Sequence, residues 1–148
     1  MRGVRIIVLL MSLLLSISGC EKKSINSDLE RHWRLERFTI LESNEVVECK
    51  QLFYGITYMV TEVAEKDGVH KYNDFVARTE YSEDGSLLIL RDFKGQRYNT
   101  DNGISATVAQ LKPFGIIDPK ETIFRIVELT HSKLILESNY ARLELSIF

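Results

Sequence analysis

The chain holds little that could crosslink it, break its strands or charge it strongly. Among 148 residues there are two cysteines, Cys20 and Cys49, two prolines, one tryptophan and a formal net charge of −2. No Lys/Arg cluster is present, which argues against nucleic acid as a partner, because a polyanion is bound through counterion release from a basic surface. There is no Gly-x-Ser-x-Gly elbow, no glycine-rich phosphate loop and no HExxH pair, and no Cys/His pair stands at zinc-ligand spacing. His32, His70 and His131 fall on separate predicted elements and read as surface or turn residues. These absences point to a non-catalytic domain without a cofactor or metal. Internal repeats and low-complexity tracts are missing as well.

What is present begins at the N-terminus. Arg2 and Arg5 precede an apolar run from Ile6 to Ile17, and Ile17-Ser18-Gly19-Cys20 follows. A basic segment, a short apolar segment and small residues before a cleavage point make a secretory signal. The run is shorter than the ~18 apolar residues that a membrane-spanning helix requires. The four residues ending in Cys20 resemble the bacterial lipobox, which implies cleavage before Cys20 and a diacylglycerol on its thiol. Residues 1–19 then form the signal, 20–27 a lipidated tether and 28–148 the folded domain. Loss of Arg2 and Arg5 takes the formal charge from 19 − 21 = −2 to 17 − 21 = −4. Glu21 is not the Asp that resembles an inner-membrane retention signal, and Glu21-Lys22-Lys23-Ser24 lacks an acid-rich export run. The expected location is therefore the outer membrane, facing the periplasm. Cys49 would be left as a single thiol, either a small buried hydrophobe or a reactive group, and with no disulfide available packing must stabilise the domain.

From His32 onward the apolar pattern has period two. Trp33 and Leu35 alternate with Arg34 and Glu36, after which Phe38 and Ile40 take over, so the register slips near Arg37 and predicts a β-bulge. Ser27-Asp28-Leu29-Glu30 reads as a capping box and a brief helical turn before this strand. Ser43-Asn44 separates it from Val46-Val47. Phe53 to Ala64 reads as one long strand with Tyr54, Ile56, Tyr58 and Val60 on a shared face. Asp67-Gly68 reads as a two-residue hairpin turn leading into Val69 to Tyr81, and Asp84-Gly85 as a turn into Leu87–Leu90. Ile123–Leu129, Leu134–Leu136 and the alternating Leu143, Leu145 and Ile147 complete the strands. Between them, Ile104, Val108 and Leu111 have helical spacing and predict a helix over 105–112, capped by Asp101 or Asn102 and limited by Pro113. Asp92 to Gly103 reads as a loop. About eight strands with hairpin turns and one short helix imply a mainly β fold, a single antiparallel β-barrel, in which closure removes exposed edges.

This order is similar to that of the lipocalin-like lipoproteins common in Bacteroidetes. The likeness rests on Ile17-Ser18-Gly19-Cys20, on Trp33-Arg34-Leu35 in the opening strand, and on the closing run Phe124-Arg125-Ile126-Val127-Glu128-Leu129-Thr130, Leu134-Ile135-Leu136 and Leu143-Glu144-Leu145. Arg31 stands where lipocalins proper carry the glycine of Gly-x-Trp, so the resemblance is to a lipocalin-like barrel. It implies binding of a small apolar molecule, by analogy of fold.

The aromatic residues are the candidate ligand contacts. Tyr54 and Tyr58 share the long predicted strand, and Tyr72, Phe75 and Tyr81 lie on its partner. Rings with polar tips suit a pocket that is apolar inside and wet at its mouth. Glu42, Glu45 and Glu48 surround a turn and read as a solvated acidic loop, with calcium ligation as the sharper alternative. Two roles follow for the domain: a membrane-anchored binder of a small hydrophobic ligand or a protein partner, or a structural or inhibitory module whose barrel is filled by its own side chains.

Overall fold

A computed structural model describes residues 26–96 and 103–148. The signal, Cys20 and the expected caps Asp101 and Asn102 lie outside the described residues. Eight antiparallel strands form a closed barrel in simple sequential order, β8 returning to pair with β1. They are β1 (His32–Ile40), β2 (Val46–Ile56), β3 (Val60–Glu65), β4 (Phe75–Tyr81), β5 (Leu87–Gly95), β6 (Glu121–Leu129), β7 (Lys133–Glu137) and β8 (Ala141–Ile147). The up-and-down order sorts the connections into two sets. The turns β2–β3, β4–β5 and β6–β7 lie at the near end, where β1 begins, and the other four connections lie at the far end.

The alternation in β1 places Trp33, Leu35 and Phe38 inside and leaves Arg34 and Arg37 outside. The slip expected near Arg37 is a bulge against both neighbours. Leu35 pairs with Leu145 and Arg37 with Glu144, so β1 holds one extra residue against β8. Against β2, Leu35 pairs with Leu52 and Arg37 with Glu48, and there β2 holds the excess, with Gln51 at φ 58°. Glu36, the extra residue, accepts hydrogen bonds from Arg34 and Ser146. The bond from Ser146 is the main reason its carboxyl is held below the usual range.

The interior is filled by side chains from every strand. One row of cross-strand partners, Trp33, Tyr54, Val63 and Phe75, runs through β1 to β4, and all four are fully or almost fully buried. Leu88, Leu90, Phe124, Leu134, Leu136, Leu143 and Leu145 fill the opposite wall. Thr61 and Thr79, both buried, satisfy each other through a 2.7 Å hydroxyl contact.

Several expectations need correction. Ser27–Glu30 is not a capped helix. Residues 26–29 form a turn in which the Leu29 amide donates to the Asn26 carbonyl. The long strand over 53–64 is two strands, because the chain turns at Thr57–Met59. Asp67-Gly68 is part of a wider loop over 66–74, and β4 begins only at Phe75, leaving Val69 exposed. β5 continues through Phe93 to Gly95, into the stretch read as a loop. The predicted helix over 105–112 shrinks to α1 (Val108–Leu111) and a 3-10 turn (Lys112–Phe114), capped by Thr107 in a capping box with Gln110. Ile104 and Val108 are exposed and only Leu111 is buried, so the i, i+4, i+7 spacing did not mark a buried face.

Candidate functional site

The far end of the barrel is closed by the connection from β5 to β6. After α1, Pro113 sets the 3-10 turn, and Gly115 (φ 77°) redirects the chain. A Cβ on Gly115 would lie 3.2 Å from Leu143 and 3.3 Å from Phe38, so close approach as well as φ favours glycine there. This geometry drops Leu111, Phe114 and Ile116 into the core, each with no exposed surface. Phe114 meets Tyr72 and Phe75 edge to face, at ring separations of 6.1 and 6.4 Å. Its carbonyl accepts the Tyr54 hydroxyl at 2.5 Å. Complete burial pushes the Tyr54 phenol well above its ordinary range, so it remains a donor.

The loop over 66–74 is organised by Glu65. Its carboxylate accepts from the amides of His70 (3.1 Å) and Tyr72 (2.8 Å) and meets the His70 ring at 3.0 Å. The Glu65 side chain is 2% exposed. Burial alone would raise its pKa, but the Tyr72 and His70 donors outweigh it and hold the carboxyl below its ordinary value. A Cβ at Gly68 would overlap this carboxyl, so the glycine makes room for Glu65. The His70 ring stacks on Tyr72 with centroids 5.0 Å apart.

Between this loop and α1 lies an open groove of about 280 Å³, lined by Lys71, Tyr72, Asn73, Phe75, Ala109 and Gln110. A larger groove of about 750 Å³ lies on the other side of α1. Its floor is the buried pair Phe93 and Ala106, and its walls include Asp92, Asp118 and Lys120.

The five candidate aromatics do not form one cluster. Tyr54 lies inside the barrel, and Phe75 and Tyr72 meet at the far-end groove. Tyr58 is on the β2–β3 turn with 63% of its surface exposed, so it does not share a face with the buried Tyr54 as the sequence suggested. Tyr81 ends β4 at the near end. Its hydroxyl is buried and has no hydrogen-bond partner among the described residues, and burial followed by the charge of Glu30 raises its pKa. Sequence reasoning named Leu111 only as one position of a helix face, and it missed Glu65 and Phe114. The run Pro113-Phe114-Gly115, an aromatic between two turn residues, was the available signal for the last.

The remaining candidates are dispersed. His32, His70 and His131 are exposed on separate elements. Glu42 and Glu45 lie exposed around the β1–β2 turn, and Glu48 faces Arg37 at 3.6 Å. Among the described residues no group of three or more His, Cys, Asp or Glu is placed to hold a metal. Cys49 is half-buried against the core. Burial, then the charges of Glu48 and Glu36, push its thiol up to about 12, which makes it a poor nucleophile at neutral pH.

Two solved structures share this fold. A lipocalin-like protein from Bacteroides uniformis superposes with a TM-score of 0.55 at 15% identity, over 82% of this chain and 99% of its own. An uncharacterised protein from Bacteroides eggerthii gives a TM-score of 0.58 at 17% identity, over 80% of this chain and 98% of its own. No curated protein matches the sequence. The family described as Lipocalin-like domain matches residues 13–148, nearly the whole chain and every strand of the barrel, and the protein belongs to that family.

Proposed function

We propose that this protein is a lipid-anchored, non-catalytic binding protein of the bacterial envelope, held by acylated Cys20 at the outer membrane and facing the periplasm. Its ligand is a small molecule with an apolar body, taken at the far-end groove between Lys71–Phe75 and α1. The reading rests on that groove, where the half-buried Tyr72 offers ring surface over the buried Phe75, beside the cationic Lys71 and the polar Gln110. Its volume is near the lower bound of ligand sites, roughly 300 Å³, which suits the tail of a slim amphiphile.

A second reading is favoured by one observation. The Tyr54 hydroxyl is satisfied by the Phe114 carbonyl, and Leu111, Phe114 and Ile116 occupy the barrel interior. A filled barrel of this kind suits a structural or inhibitory module that works through its loops. Native mass spectrometry of the full chain purified from membranes separates the two readings. A co-purifying small apolar molecule that is lost in Tyr72→Ala supports the groove, and its absence in both proteins supports the filled module. The anchor is tested independently. Cys20→Ser or globomycin should block processing and leave an uncleaved or soluble form, and unchanged processing would refute it.

A further inference from the structure

The near end of the barrel carries a feature that ligand binding at the far end does not use. The β2–β3 turn exposes three consecutive apolar residues, Tyr58, Met59 and Val60, at 63%, 71% and 43% of their surface. Such runs on a water-facing surface are design errors unless they serve a function. The tip is also rigid. The Thr57 hydroxyl donates to the Val60 carbonyl at 2.7 Å and accepts from the Val60 amide at 3.1 Å, and the Met59 carbonyl accepts from the Thr79 amide at 2.8 Å. The apolar side chains are therefore held outward by the fold.

The N-terminal segment leaves the barrel at this same end. Asn26 donates through its side chain to the Gly85 carbonyl in the β4–β5 turn, Arg31 to the His131 carbonyl in the β6–β7 turn, and the Ile56 amide to the Arg31 carbonyl. Only six residue steps separate Asn26 from Cys20. Fully extended they span about 20 Å. The eleven residues of β2 run about 35 Å, which strand tilt reduces to a barrel height of roughly 25 Å. An anchor at Cys20 thus cannot reach around the barrel to bring the far end to a bilayer, and it holds the near end close to the lipid.

We propose that the near end is the membrane face of the protein and that Tyr58 and Met59 sit in the headgroup region of the phospholipid bilayer to which Cys20 is anchored. This rests on the lipid-anchor reading. An aromatic ring with a polar tip beside a flexible thioether suits that interfacial zone. Charge does not drive the contact, because the exposed charges in the turns and leading segment at this end are mostly acidic: Asp28, Glu83 and Asp84 against Lys133. The contact leaves the far-end groove pointing away from the membrane.

The test uses the full acylated chain in phosphatidylcholine vesicles, with a tryptophan placed by Tyr58→Trp and, as control, by Val69→Trp in the far-end loop, each spectrum being read as the difference from the parent, whose buried Trp33 emits in every variant. The tryptophan at position 58 should emit at shorter wavelength than in detergent-free buffer and lose most of its emission to brominated phosphatidylcholine. The control should lose none, and adding Met59→Asp should restore the emission at 58. A blue-shifted but unquenched signal would mean that protein covers the tip, and an unshifted signal that water does. Either result overturns the proposal, as does equal quenching of the control. Flotation and the mass of the N-terminal peptide report the anchor separately. A chain that floats with its acyl mass but fails quenching refutes the membrane face alone, whereas a chain that does not float refutes both.

Discussion

At the near end of the barrel the segment Asn26–Arg31 lies across the strands and bonds to three of their turns or ends, through two side chains and the Arg31 carbonyl, whereas at the far end Leu111, Phe114 and Ile116 drop their side chains between the strands. The first closure is made of directional bonds between short, well-defined turns. Under it Trp33 fills the barrel and donates its indole N–H to the Leu29 carbonyl at 2.9 Å, with the Arg31 guanidinium 5.7 Å from the ring centre. The second closure is made of apolar volume carried by a long connection, with one buried side-chain hydrogen bond among the described residues, from Tyr54. A barrel can thus be stopped at one end by hydrogen bonding and at the other by packing. Only the packed stopper can be traded for a ligand of similar shape, because the hydrogen-bonded one would leave buried polar groups unpaired if it moved.

The largest effect expected is at the near end. Trp33→Ala removes a fully buried indole and its hydrogen bond to the Leu29 carbonyl, which keeps only the Arg31 amide as donor, so urea unfolding should show a loss of about 4–5 kcal/mol, against a total that is ~5–15 kcal/mol for ordinary domains. Phe114→Ala should cost less, about 3 kcal/mol, because a connection can collapse into the space more readily than a barrel strand. It should also increase the binding of an apolar dye, measured by fluorescence titration. A Trp33→Ala protein as stable as Phe114→Ala would erase the distinction between the two closures.

The same contrast explains what could be read from the sequence. The β1 bulge was legible because the apolar period visibly slips between Leu35 and Phe38. The Asp84-Gly85 turn was legible because its chemistry is local: Gly85 has φ 72°, and the Asp84 carboxylate accepts from Ser82 and Ser86. The closing strand was legible because Leu143 and Leu145 alternate with Arg142 and Glu144. The β2–β3 turn was hidden because Thr57-Tyr58-Met59 contains no glycine, asparagine or proline, and the Thr57 hydroxyl makes the bonds that such residues usually make possible. An exposed Tyr58 and a buried Tyr54 look alike in a period-two pattern that ignores the turn between them. The far-end site was hidden for a different reason. Glu65, Tyr72 and Phe114 are brought together by tertiary contacts between two loops, and spacing along the chain carries no trace of them.

A smaller effect sharpens the view of the far end. Tyr54→Phe leaves the ring in place but strips the Phe114 carbonyl of its buried donor, which should cost about 1–2 kcal/mol. If the variant were instead more stable than the parent and bound no less ligand, the 3-10 turn would be held by ring packing alone, and the Tyr54 bond would have no part in closing the barrel.

The smallest effect on global stability, and the most local, concerns Glu65. Its folded-state pKa is depressed below the ordinary 4.5 by the Tyr72 and His70 donors, which overcome the opposing effect of burial. A carboxyl whose pKa falls on folding contributes stability above its unfolded-state value, and that contribution fades as pH drops through the depressed folded-state value. The loop over 66–74 should therefore stay closed from neutral pH down to about 4.5 and loosen below it, exposing the Tyr72 amide to hydrogen exchange before the strands open. Glu65→Gln keeps an acceptor but cannot titrate, so its loop should exchange faster than the parent's at neutral pH and change little further between pH 5 and pH 3. Other depressed carboxyls, Asp84 at about 2 among them, destabilise both proteins alike as the acid deepens, so the difference between the two exchange profiles isolates Glu65. If both lost loop protection in parallel between pH 5 and pH 3, the loop would be governed by the barrel as a whole, and the far-end groove would not have a wall that Glu65 sets independently.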